Sequence, residues 1–87
     1  MTPIRILRHW RGHVVLTYRS KCYRVSGEGM TDGSWVIYGD VREVEEADVE
    51  NEIGRVGSLD ESKEVISALR LHWDSLGYRY VDESCIQ

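Results

Sequence analysis

The sequence predicts an α+β fold: an antiparallel sheet of four to five strands in the order β-β-β-β-α-β, with one long amphipathic helix at about residues 59–76 packed on one face. Three observations carry this. The first forty residues break into short runs rich in β-branched and aromatic side chains, separated by turn residues. Residues 59–76 repeat apolar side chains at helical spacing. The chain has only 87 residues, which sets the expectation of a single small domain over 1–87.

The helix is the most clearly written element. Ser58 followed by Glu61 reads as a capping box, in which each side chain satisfies an orphan amide at the helix start. Asp60 and Glu61 fall in the first turn, where the helix dipole favours anions. Val65, Ile66, Leu69, Trp73 and Leu76 share one face with Ser62 and His72, and Gly77 suits the left-handed residue after the helix end.

The expected strands are Ile4–His9, His13–Arg19, Cys22–Ser26, Ser34–Val41 and Tyr78–Val81. Register follows from the requirement that apolar residues share a face, because a slip of one residue exchanges the two faces. A turn at Ser20-Lys21, or a loop over 19–22, brings Val14, Leu16, Tyr18, Tyr23 and Val25 together. At the first hairpin, a two-residue loop puts Arg5 and His9 on the core face, whereas a three-residue loop at Trp10-Arg11-Gly12 puts Ile4 and Ile6 there and is preferred for that reason. Asp32-Gly33 is the strongest turn signal in the chain. A strict hairpin there turns Trp35 and Ile37 away from the core, and one extra residue near Gly27–Gly29 repairs the mismatch. The expected core is Ile4, Ile6, Val14, Leu16, Tyr18, Tyr23, Val25, Val65, Ile66, Leu69, Trp73 and Leu76. Residues 43–53 are expected to form a short acidic helix or irregular loop, and Gly54–Gly57 is the most linker-like stretch.

The net charge of −4 hides a strong asymmetry. Residues 1–27 hold six of the 11 basic residues and no acid; all 15 acids lie after them, six within residues 43–52. The preferred register gathers part of that positive charge on the sheet face away from the helix. Arg5, His9, His13, Arg19 and Arg24 lie on that face, with Trp10 at the hairpin tip. Guanidinium forks suit phosphate and carboxylate groups, and a basic sheet face with an aromatic side chain suits single-stranded nucleic acid. Against nucleic acid stands the overall isoelectric point near 5.3, since such domains are commonly basic. The same face also suits the acidic 43–52 segment of this chain or of a second copy, and that segment in turn resembles a nucleic-acid mimic in its charge.

Chemistry finds little purchase. His9 and His13 oppose each other across the expected hairpin but lack a third ligand, so no metal is expected. Cys22 and Cys85 have neither zinc spacing nor a disulfide framework, which leaves two free thiols and a cytoplasmic location as the expectation. The glycines at 27, 29 and 33 fail the phosphate-loop pattern. No nucleophile elbow is present. No apolar run approaches the ~18–20 residues of a membrane span, and Arg5 and Arg8 interrupt the only early apolar stretch, so neither a membrane anchor nor a secretory leader is expected. No cofactor and no catalysis are expected. The sequence therefore predicts a non-catalytic binding or regulatory module with a protein partner, a second copy of the chain being one candidate; the alternative is nucleic-acid binding through the basic face.

Overall fold

The structure, a computed structural model, describes residues 4–45, 55–56 and 59–83. It contains strands β1 (Arg5–His9), β2 (His13–Tyr18), β3 (Lys21–Gly29), β4 (Trp35–Val44) and β5 (Arg55–Val56), helix α1 (Leu59–Leu76) and strand β6 (Tyr80–Asp82). The α+β class is as expected, with the helix against one sheet face. The sheet runs β1-β2-β3-β4-β5, and β6 also pairs with β4. β5 lies beside Arg42–Glu43 and β6 beside Trp35–Ile37, so the two short strands share the outer edge of β4.

Two expectations about this edge are corrected. The last strand pairs parallel to β4, because the 18-residue helix carries the chain back along the sheet before β6 begins. It starts at Tyr80 because Tyr78 is used to end the helix: Tyr78 N–H donates to the Trp73 carbonyl at 3.0 Å and Gly77 N–H to Asp74 at 3.2 Å. This is a Schellman ending, with Gly77 at φ 70° and the Tyr78 and Trp73 rings 4.9 Å apart. The second correction concerns Arg55–Val56, read as linker but forming β5. Ser58, Cys85 and most of the acidic 43–53 stretch lie outside the described residues, and of that stretch Glu43 and Val44 belong to β4.

The turns show how the faces were set. Arg19 and Ser20 form a two-residue turn with φ of 50° and 65°, so both occupy the left-handed region without glycine. Leu16 pairs with Tyr23 and Val14 with Val25, a shift of two from the expected turn at Ser20-Lys21, which sets Tyr18 opposite Tyr23 and Leu16 opposite Val25. A slip of two preserves the faces, so Val14, Leu16, Tyr18, Tyr23 and Val25 still share the core face. At the next hairpin Met30 N–H donates to the Ser34 carbonyl at 2.8 Å, leaving a three-residue loop, Thr31–Gly33, with Gly33 at φ 90°. That extra loop residue turns Trp35 and Ile37 toward the helix, opposite Gly29 and Gly27. The expected bulge at Gly27–Gly29 is therefore replaced by the longer turn, together with an irregularity across Tyr38–Asp40, where Gly39 has φ 97°.

The core sits between the sheet and α1. Val14, Leu16, Val25, Trp35, Ile37 and Val41 meet Val65, Ile66, Leu69 and Trp73, all at most 3% exposed. Burying each such aliphatic side chain contributes ~1.5–3 kcal/mol. Ile4 and Ile6 pack against this core but remain partly exposed. Leu76 is corrected from core to surface at 68% exposure, because the last helical turn carries it clear of the sheet. A second apolar cluster, Val15, Cys22 and Val44 with Leu7 against it, lies on the opposite face. Among the described residues no helix is long and apolar enough to cross a membrane.

Candidate functional site

The geometry of β1 decides which basic residues meet. At the hairpin tip Trp10 N–H donates to the His13 carbonyl at 2.8 Å, closing a two-residue loop at Arg11-Gly12. In this register His9 pairs with Val14 and Arg8 with Val15. A bulge at Leu7 then shifts the strand by one residue, so that Ile6 pairs with Leu16 and Arg5 with Thr17. The preferred three-residue loop is thus corrected to two residues, and the register it implied, with Ile6 on the core side, holds only beyond the bulge.

The consequence is an exchange on the face away from the helix. His9 leaves it and joins the core side, stacked on Trp73 at 5.4 Å and edge-on to Trp35 at 5.7 Å and Tyr78 at 5.5 Å. The residue stays exposed at one edge, and the partial desolvation of its ring against these aromatics holds its pKa below the usual imidazole value. His9 and His13 thus lie on opposite faces and do not oppose each other. Arg19 also leaves: from the turn it reaches Glu64 of α1 at 3.4 Å and lies over the Tyr18 ring. Arg5 stays on the far face but at the other end of β1 from Arg8, roughly 10 Å along at ~3.3 Å per residue. The structure brings together Trp10, His13 and Arg24 of the expected set, and adds Arg8.

Arg8, Val15, Arg24 and Arg42 form one transverse row across four strands. His13 lies one step along the same face of β2, diagonal to both Arg8 and Arg24. Fully buried Val15 is the floor between the two arginines. Trp10 stands beside Arg8 and across the hairpin from His13, 41% exposed, with the Arg8 guanidinium 5.1 Å from its ring centre and the His13 ring edge-on at 4.6 Å. Its carbonyl accepts from the buried Trp35 indole N–H at 3.2 Å, which ties the tip to the core.

His13 is the strained member of this group. Burial lowers its pKa, and the positive charges of Arg24 and Arg8 lower it further, so the neutral ring is favoured. Its Nε2 is buried without a hydrogen-bond partner. The face is not free of acid, as the sequence suggested: Asp40 accepts from the Ser26 hydroxyl at 3.4 Å and pairs with Arg42 at 3.3 Å. Ser26 is the strand partner of His13, so this carboxylate borders the group on the β3–β4 side.

Arg8 is the residue sequence reading missed. The signal for it lay in the two-residue loop, the register that places Arg8 on the far face. A hollow of about 560 Å³ lies between the Thr31–Gly33 turn and β6. Its polar groups answer one another: Asp32 accepts from the Ser34 hydroxyl and amide, Arg79 pairs with Asp32, and Tyr80 donates to Asp74 at 2.8 Å. Cys22 is buried in the second apolar cluster, and among the described residues no group of three or more His, Cys, Asp or Glu is arranged to hold a metal ion. Comparison of the chain with family models, curated proteins and solved structures gives no match.

Proposed function

We propose that this chain is a non-catalytic binding module that docks on a protein partner through the β1–β2 end of its sheet, with Trp10 as the anchor and Arg8, His13 and Arg24 around it. The observation that carries the reading is the fixed presentation of an exposed tryptophan. Its ring is held by Arg8 and His13 and its carbonyl by Trp35. Tryptophan and arginine dominate the residues that carry binding energy at protein interfaces, and a rigid platform lowers the ordering cost of association. A second reading, single-stranded nucleic acid, draws on the same Arg8–Trp10 pair beside Arg24, since a stacked base and a neutralised phosphate need those two elements.

The test is photo-crosslinking from position 10, compared with crosslinking from position 71, an exposed leucine on α1. The proposal expects a discrete protein adduct from position 10, absent from position 71 and reduced by Arg24→Gln. Adducts lost on nuclease treatment would transfer the site to nucleic acid. Equal, diffuse labelling from both positions would refute a docking role for this end of the sheet.

A further inference from the structure

We infer that Arg8, His13 and Arg24 form a subsite for a phosphoryl group carried by the protein partner. The inference deepens the docking proposal and rests on it for the source of the phosphate. The register supplies the geometry. Arg8 on β1 and Arg24 on β3 flank Val15 of β2, and His13 lies on the same face, diagonal to both. Two strand spacings of ~4.8 Å separate the two arginine backbones by roughly 10 Å, a gap that two long side chains close around one tetrahedral anion.

The donor set matches a phosphoryl group better than a carboxylate. Each guanidinium has several N–H donors in a fixed fork, so a contact elsewhere leaves donors over for a ligand. One carboxylate is met by a single fork, whereas a phosphate monoester offers three oxygens and up to two negative charges, enough for both forks and the imidazole. His13 supplies the independent indication. Its buried Nε2 has no partner, and an unmade hydrogen bond at a buried polar atom is unfavourable. A phosphoryl oxygen that displaces the side chains covering Val15 and this nitrogen gives the nitrogen an acceptor once it carries a proton. The charged groups facing His13 are Arg8 from β1, Arg24 from β3 and, beyond Ser26, Asp40 from β4. A bound dianion offsets the two arginines and so favours the imidazolium. Trp10 and the buried Val15 wall the position with apolar surface, where charge-assisted hydrogen bonds are strengthened.

The experiment follows the His13 ring nitrogens by ¹⁵N NMR on the full chain, first with inorganic phosphate and with chloride at matched ionic strength. The proposal expects a saturable shift of Nε2 toward the protonated form with phosphate and none with chloride. Arg24→Gln should weaken phosphate binding about tenfold or more, and Arg24→Lys, which keeps the charge and loses the fork, should weaken it measurably. Arg70→Gln, on α1, should leave it unchanged. A phosphoserine peptide should then compete with phosphate, and its unphosphorylated twin should not. No saturable response of His13 to phosphate overturns the subsite even if crosslinking from position 10 succeeds. A subsite that binds phosphate while crosslinking fails leaves the subsite standing and removes the docking reading. Tighter binding of oligothymidylate than of the phosphopeptide overturns the assignment to a phosphorylated protein.

Discussion

Gly27→Ala loads the tightest point of the sheet. A methyl group there would run into the backbone carbonyl of Val36 and the six-membered ring of Trp35. The carbonyl belongs to β4 and Trp35 is 1% exposed, so neither neighbour yields cheaply. Overpacking of this kind costs ~1–3 kcal/mol. Moving Trp35 also strains its bond to the Trp10 carbonyl, a further ~0.5–1.5 kcal/mol. Relief of glycine's backbone entropy returns ~0.5–1 kcal/mol. The net loss is about 0.5–4 kcal/mol, up to a large part of the roughly 4–13 kcal/mol expected for a chain of 87 residues. Urea unfolding followed by the fluorescence of buried Trp35 and Trp73 measures it, and the thermal midpoint should fall by ~4–8 °C per kcal/mol. Gly12→Ala is the control, since nothing lies within 4 Å of an added methyl; it should stay within about 0.5 kcal/mol of the parent. A Gly27→Ala chain as stable as the Gly12→Ala chain would refute the packing described for β3 and β4.

Three further outcomes are expected. Burial depresses the His9 pKa, and burial with Arg24 and Arg8 depresses that of His13, so the folded chain binds fewer protons than the unfolded chain once pH falls through about 6.5. Stability is therefore fully present above that value and declines below it, until the lowered folded pKa values are passed; His9→Phe should flatten the decline in urea midpoints measured from about pH 7.5 to pH 5, and an unchanged slope would contradict the stacking of His9 among Trp35, Trp73 and Tyr78. Ser20→Gly relieves a left-handed residue at φ 65° and should raise the urea midpoint by the equivalent of ~0.5–1 kcal/mol. Tyr23→Phe removes the hydroxyl that donates to Glu61 at 3.1 Å across the sheet–helix interface, with an expected loss of ~0.5–1.5 kcal/mol in the same assay.

The helix was legible in the sequence because its signals are local: acidic first turn, apolar stripe, Gly77 at the end. The Val14–Leu16–Tyr18 face was legible because any even slip in register preserves it. What escaped was set by single extra residues. The two-residue loop at Arg11-Gly12 turned His9 to the helix side of the sheet and Arg8 to the far face, and the bulge at Leu7 then returned Ile6 to the core side, a compensation that periodicity alone does not locate. The third loop residue at Thr31–Gly33 brought Trp35 and Ile37 into the core, where the Asp-Gly pair had suggested a two-residue turn. The direction of β6 depended on how the helix crosses the sheet, which is a tertiary property. The candidate site was half legible for the same reason: His13 and Arg24 follow from alternation on β2 and β3 and Trp10 from its place at the hairpin tip, whereas Arg8 follows only from the two-residue loop.

The central claim is that binding energy is concentrated at Trp10. It is tested most directly by the affinity of the protein captured from position 10 for two purified variants, Trp10→Ala and Leu71→Ala, with thermal midpoints measured alongside. Truncation of an interface anchor costs ~2 kcal/mol or more, so Trp10→Ala should weaken binding by roughly thirtyfold or more. Leu71→Ala should change it by less than about threefold. Equal affinities for the two variants, both folded, would contradict the account.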